Sequence, residues 1–163
     1  MMIRKAVLED VPQILDIYND AVLHTTATFD LEEKTLEDRL QWFHKYNDIY
    51  PLIVAELDEK VAGYCSLSPF REKEAYKQTV EISVYVHKKA RGKGIARELI
   101  KRILELGKEA GHHVIIAGIT GGNDVSVKLH ESFGFSHAGT FREVGFKFGE
   151  WQDVFFYELL LKS

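Results

Sequence analysis

Two periods run through the hydrophobic positions of this chain. A period of two marks residues 78–86. There Val80, Ile82, Val84 and Val86 fall on one face, and Glu81, Ser83 and Tyr85 on the other. A period near 3.6 predicts helices. The first follows Glu9-Asp10, with apolar residues at Val11, Ile14, Leu15, Tyr18 and Val22. Pro12 sits in its first turn, where no N–H partner is lost. The second spans about Thr35 to Tyr46, with Leu36, Leu40, Trp42 and Phe43 as the expected buried face. Thr35 with Asp38 is a capping-box variant at its start. The third carries a broad stripe of Ile95, Leu99, Ile100, Ile103, Leu104 and Leu106, and Gly111 ends it as a C′ residue.

The remaining apolar runs are short and bounded by turn residues. Residues 2–7 predict a strand. Pro51 to Leu57 and Val61 to Leu67 flank Asp58-Glu59-Lys60 and predict a hairpin. His113 to Ile119 is nearly continuous in apolar residues, which predicts a strand buried on both faces. Gly121-Gly122-Asn123-Asp124 breaks the pattern, and a short helix from Val125 to Phe133 ends at Gly134. Ser136 to Lys162 reads as two more strands, dense in aromatics: Phe141, Phe146, Phe148, Trp151, Phe155, Phe156 and Tyr157. Two stretches read as loops, 24–30 and 69–77. The second interleaves Phe70 and Tyr76 with charges. The order is therefore β-α-α-β-β-β-α-β-α-β-β. A crossover helix implies one local parallel pair, and the hairpins imply antiparallel pairing elsewhere. The fold class expected is α/β (α+β), a mixed, mostly antiparallel sheet flanked by helices, in one domain over 1–163.

Composition narrows the function. A chain of 163 residues suits a single domain that needs no disulfide or metal for stability. A net charge of −4 argues against general nucleic-acid binding. The start, Met1-Met2-Ile3-Arg4-Lys5, lacks the apolar run of a signal peptide, and no stretch is long enough to span a membrane. The single cysteine, Cys65, fits a reducing compartment and a buried structural thiol. A cytoplasmic location is the expectation.

Against this acidic background, residues 87–97 form a basic cluster. The alternating strand runs into His87-Lys88-Lys89-Ala90-Arg91-Gly92-Lys93-Gly94-Ile95-Ala96-Arg97 and then into the third helix. Glycines at a strand-to-helix turn let backbone N–H groups approach a phosphate, and a helix N-terminus adds unpaired donors and the positive dipole end. A plain glycine turn with a solvated basic rim is the alternative. It is not a P-loop, since Lys93 is followed by Gly94 and Ile95, nor a dinucleotide fingerprint, since position 97 is Arg. A phosphotransferase is disfavoured for the same reason. The segment Arg-Gly-Lys-Gly-Ile-Ala resembles the acetyl-CoA motif of the GNAT superfamily of N-acetyltransferases. Asn123 to Phe135 resembles that superfamily's Asn-x-x-Ser/Ala-x-x-Leu-Tyr-x-x-x-Gly-Phe segment. Thr79-Val80-Glu81 and the stretch from Gly145 to Val154 narrow the likeness to the phosphinothricin N-acetyltransferase family, which includes methionine sulfoximine and methionine sulfone acetyltransferases.

The resemblance implies the GNAT fold, acetyl-CoA as co-substrate and no metal. It implies direct transfer to the α-amino group of a small amino acid, with Glu81 as general base and His130 as proton donor to the thiolate. Backbone groups of Val84, Tyr85 and Val86 would pair with the pantetheine arm. Arg91, Gly92, Lys93, Gly94, Ile95, Ala96 and Arg97 would hold the pyrophosphate, and Asn123 would add a polar contact or simply cap its helix. Phe29, Phe70, Arg71, Lys73, Tyr76 and Phe146 would fall near the acceptor, and a homodimer is implied. Three positions depart from the relatives' patterns. His130 stands where many superfamily members have Tyr, and Phe70 and Gln78 stand where the phosphinothricin family has Trp. Peptide N-termini, polyamines and antibiotics stay open as acceptors, as does a non-catalytic acyl-CoA-binding module.

Overall fold

The computed structural model describes residues 1–162. Seven strands form one sheet: β1 (Met2–Lys5), β2 (Leu52–Leu57), β3 (Lys60–Pro69), β4 (Thr79–Val86), β5 (Val114–Thr120), β6 (Ser136–Lys147) and β7 (Glu150–Leu160). The helices are α1 (Val11–His24), α2 (Leu36–Phe43), α3 (Ile95–Glu109) and α4 (Asp124–Ser132). The chain order is the one expected, and the sheet order is β1-β2-β3-β4-β5-β7-β6. Every neighbouring pair is antiparallel except β4 and β5. That parallel pair is short: Thr79, Val80 and Glu81 face Val114, Ile115 and Ile116, and the register stops there. Beyond it β4 stays with β3 as far as Val86, and β5 stays with β7 as far as Thr120. The sheet is thus split into two wings joined at Glu81.

The two faces of the sheet have separate covers. On one face α1 lies over the first wing, and Ile14, Ile17, Tyr18 and Val22 pack with Val54, Val61 and Tyr64. On the other face α3 buries Ile95, Leu99, Ile100 and Ile103 against Cys65, Leu67, Val80, Ile82 and Ile115. Val127, Leu129 and Phe133 of α4 add to this second cluster. Cys65 is fully buried, and burial pushes its thiol well above the ordinary range.

The local chemistry explains most boundaries. Thr35 and Asp38 complete both bonds of the capping box at the start of α2. Asp58 and Glu59 both take positive φ, 52° and 65°, as a two-residue hairpin of the I′ kind requires. Gly111, at φ 85°, ends α3.

Two expectations change. The buried residue of α2 is Arg39, at 6% exposure, while Leu36 is 46% exposed. The helix meets the sheet through the row Arg39, Trp42 and, just past its end, Tyr46, because the aromatics Tyr18 and Tyr64 stand opposite that row. In β5, Ile115, Ala117 and Ile119 are buried but Val114 and Ile116 are only half-buried and Gly118 is exposed. The continuous apolar run reflects a parallel partner that is present for three residues, not helices on both faces.

Gly63 sits where the first wing touches α3. A Cβ there would lie 2.9 Å from the Tyr85 carbonyl oxygen and 3.2 Å from Ile95 and Leu99 side-chain atoms. Gly63→Ala is expected to lower stability by about 1–3 kcal/mol, as overpacking does, read as a fall in denaturant midpoint at unchanged m-value. An unchanged midpoint would contradict this packing.

Candidate active site

The site is built at the split. On the β4 edge facing β5, residues 82–86 have no strand partner among the described residues, although their other edge is fully laddered to β3. Backbone groups in that position need another partner. A 3₁₀ turn at Lys88–Ala90 follows, held by the His87 Nδ1 accepting from the Lys89 N–H at 3.0 Å. Gly92 and Gly94 then take φ of 78° and 77°. Apart from the adjoining residues, no heavy atom among the described residues lies within 4 Å of a Cβ built on either one, so the left-handed conformation, not crowding, calls for glycine. Gly94 is the N-cap of α3, and its carbonyl accepts the first helical bond, from Glu98, at 3.2 Å. The N–H groups of Ile95, Ala96 and Arg97 have no helical carbonyl to reach. Arg91 and Lys93 are exposed beside them. Arg97 lies across the Phe133 ring and donates to Ser132 Oγ at 3.3 Å. Open backbone, glycine turn, helix N-terminus and cations are contiguous, and they fit a phosphate-bearing arm laid along β4.

Glu81 stands at the apex, directly opposite Ser68 of β3 and Ile116 of β5. Its carboxylate is half-buried and forms no ion pair among the described residues. Burial alone pushes its pKa above the ordinary carboxylate value.

A cavity of about 420 Å³ opens on the same face of the sheet as Glu81. It lies between β3–β4 and the α1–α2 segment, lined by Ser66, Ser68, Ser83 and Tyr85 from the strands and by Arg39, Trp42 and Tyr46 from above. Tyr46 Oη bonds Ser68 Oγ at 2.9 Å, and the Tyr64 and Tyr85 rings stack at 5.3 Å. The α1–α2 loop closes one end. Thr120 Oγ1 donates to the Thr26 carbonyl at 2.7 Å, Lys147 Nζ to the Thr28 carbonyl at 2.8 Å, and Tyr18 bonds both Thr28 and Asp30. Two strands, β5 and β6, and the helix α1 are thereby tied to one loop.

The other candidate residues fall in several places. His130 is buried at 3% exposure, edge-on to Phe135, with Nδ1 2.8 Å from the Ser126 carbonyl. A carbonyl can only accept, so Nδ1 carries the hydrogen and Nε2 holds the lone pair. Burial lowers its pKa, which keeps the ring neutral at pH 7. Asn123 Oδ1 accepts from the Ser126 N–H at 3.2 Å, so it caps α4. Phe70 packs against Tyr76 at 6.0 Å with Arg71 over its ring at 4.7 Å; with Lys73 these form an exposed loop cluster. Phe29 seats on Gly145. Phe146 pairs with Trp151 at 4.9 Å on the exposed end of the β6–β7 ribbon. None of these eight lines the cavity, and Glu81 itself stands next to its lining residues Ser68 and Ser83 rather than among them. Sequence reasoning missed Arg39, Tyr46 and Tyr64. The available signal was the spacing of Arg39, Trp42 and Tyr46, which share one helical face.

Comparison with known proteins agrees with this architecture. Residues 3–156 match the family model described as acetyltransferase (GNAT) domain. An L-methionine sulfoximine/L-methionine sulfone acetyltransferase of Salmonella typhimurium is 40% identical over 162 residues, covering 99% of this chain and 95% of that protein. A phosphinothricin N-acetyltransferase of Streptomyces coelicolor is 41% identical, covering 97% and 95%. Among solved structures, an acetyltransferase of Salmonella typhimurium with its cofactor acetyl-CoA superposes with a TM-score of 0.96 at 39% identity, covering 99% and 94%. A ribosomal-protein-alanine N-acetyltransferase of Brucella melitensis does so at 0.96 and 44%, covering 99% and 100%. The chain belongs to the GNAT acetyltransferase family.

The raised pKa of Glu81 has a thermodynamic sign. A carboxyl whose folded pKa exceeds its unfolded value stabilises the fold at low pH and loses that contribution as pH rises through the folded pKa. Glu81→Gln is therefore expected to melt at or above the wild-type temperature at pH 8. The difference should shrink as pH approaches 4. A variant that melts lower than wild type at pH 8 would contradict the burial argument.

Proposed function

We propose that this protein is an acetyl-CoA-dependent N-acetyltransferase for the α-amino group of a small amino acid or analogue, of the phosphinothricin, methionine sulfoximine or methionine sulfone type. The observation that carries this is Glu81, a half-buried carboxylate with no ion pair among the described residues, at the point where the sheet opens and next to Ser68 and Ser83, which line a polar cavity of about 420 Å³. An amino acid amine is largely protonated at neutral pH and must lose a proton before it attacks. A carboxylate with a raised pKa is a better-matched acceptor for that proton than an exposed one. Bound acetyl-CoA supplies the activated acyl group as a thioester.

The chain's own contributions are positional. The open edge of β4 at Val84, Tyr85 and Val86 offers backbone bonds to the pantetheine arm, in the manner of an added strand. Residues 91–97 offer N–H groups and cations to the pyrophosphate, and Asn123 keeps its amide nitrogen for a further contact while capping α4. His130, protonated on Nδ1, presents Nε2; it serves as the thiolate's proton donor only after taking a proton itself. Arg71 and Lys73 place cations on the exposed loop before β4, suited to an acceptor carboxylate that reaches out of the cavity; Phe29, Phe70, Tyr76 and Phe146 stand outside its lining.

A homodimer belongs to the same proposal. Phe141, Phe146, Phe148 and Trp151 are each more than half exposed on the β6–β7 ribbon, an apolar surface that a second copy would cover. A cytoplasmic location is in keeping with the buried free thiol of Cys65. The neighbour from Brucella melitensis favours one second reading, a peptide N-terminus as acceptor.

The test is acetyl-CoA-dependent thiol release with phosphinothricin, methionine sulfoximine, methionine sulfone, ordinary amino acids, spermidine and alanine-initiated peptides. Saturable turnover on the first three is expected, with Glu81→Gln slower by roughly 10²-fold or more, the range of general-base contributions. Turnover confined to peptides would move the assignment to N-terminal acetylation, and full activity in Glu81→Gln would remove the base. Sedimentation equilibrium is expected to give a dimer for wild type and a monomer for Trp151→Glu. A wild-type monomer would rule the dimer out.

A further inference from the structure

Arg39 is the most deeply buried cation in the site wall, and it has no carboxylate partner among the described residues. Its guanidinium carbon lies 4.1 Å from the centre of the Tyr18 ring and 3.7 Å from that of Trp42, held between two aromatic faces. Nη2 donates to Tyr64 Oη at 2.8 Å, and Nε is buried with no partner among the described residues. A guanidinium carries five N–H donors, so most of its capacity is unspent. Two acids, Asp30 and Asp38, line the same cavity with Lys34, and each already has a partner of its own. Asp38 accepts from the Thr35 N–H at the helix cap, and Asp30 bonds Tyr18 and lies 3.9 Å from Lys34. A buried cation without an anion is costly. Here it lines the cavity that also presents Ser66, Ser68 and Tyr46 hydroxyls.

Its position relative to Glu81 says which part of an acceptor it would meet. The rows Ser68–Glu81, Ser66–Ser83 and Tyr64–Tyr85 follow one another along the strands, each about 6.6 Å from the last. Glu81 belongs to the first row, and Arg39 is bonded to the third. An acceptor with its amine at Glu81 that extends along the strands into the cavity brings its far end toward Arg39.

We infer that Arg39, with the Ser66 and Tyr46 hydroxyls, forms a subsite for an oxygen-rich group at the distal end of the acceptor side chain: a carboxylate, phosphinate or sulfonyl. This rests on the amine-acetyltransferase function proposed above and adds the element that selects among acceptors. An acceptor with an α-carboxylate but an apolar tail leaves the guanidinium unanswered.

Isothermal titration calorimetry on protein saturated with CoA, which supports no transfer, separates binding from turnover. The probes are glutamate, phosphinothricin and methionine sulfone, with methionine as the control that has the α-carboxylate but no distal oxygen. Wild type is expected to bind the oxygen-bearing probes about 10-fold or more tighter than methionine, as loss of a charge-assisted hydrogen bond predicts. Arg39→Gln should abolish that preference while methionine affinity stays within about 3-fold. Melting temperature and CoA affinity check that the variant is folded. If it is not, Arg39→Lys carries the test, with the oxygen-bearing probes alone weakened. A preference that survives in the variant, equal weakening of all four probes, or no acceptor binding to wild type overturns the subsite. Oxygen-selective binding without any acetyl transfer would uphold Arg39 and overturn the transfer chemistry alone.

Discussion

The structure depends on a parallel strand pair that is allowed to form for only three residues. β4 and β5 are bonded from Thr79 to Glu81 and then separate, each keeping its other neighbour. Everything that makes a site follows from that interruption. It leaves a backbone edge unpaired on β4, directs the chain into the glycine turn, and places Glu81 at the vertex, half-buried but not enclosed. A fully zipped sheet would bury the same carboxylate in a continuous ladder and remove the edge.

The split would weaken the fold if its wings were held only at the vertex. They are not. On one face α3 packs across the first wing and reaches Ile115 and, through α4, the second. On the other, the α1–α2 loop is bonded to β5 through Thr120 and to β6 through Lys147, with Tyr85 Oη 3.4 Å from the Ala27 carbonyl. The loop bridges the opening and also walls the cavity, so the same contacts serve stability and shape. The aromatic cluster of Tyr18, Trp42, Tyr64 and Tyr85 fills the space between loop and sheet, and its chemistry tolerates a cation in the middle.

Much of this was legible in the sequence, for identifiable reasons. The strict alternation from Val80 to Val86 fixed which side Glu81 faces, since period two leaves no ambiguity of face. Gly92 and Gly94 were readable because only a positive φ at a helix start calls for that spacing, and both have it. Asn123 as a cap and Cys65 as a buried thiol were readable from local pattern. The cavity beneath α2 was not. Leu36, Leu40 and Phe43 look like the buried side of α2, yet Arg39 is the residue that goes inside. That choice is made by Tyr18 and Tyr64, which come from other elements and whose meeting no local pattern encodes. Phe70 and Tyr76 were legible as an oddity, two aromatics in a charged loop, and they cover each other. His130 was legible as a member of a motif, but its tautomer is set by the Ser126 carbonyl one turn earlier, a tertiary detail of the helix.

The most direct test of the central claim is amide hydrogen exchange across β4 and the glycine turn, with and without acetyl-CoA. If the unpaired edge is a binding surface, the cofactor should slow exchange at residues 82–86 and 92–97 and leave the β2–β3 hairpin unchanged. Cofactor binding that leaves β4 exchange untouched, with protection appearing elsewhere, would contradict the account.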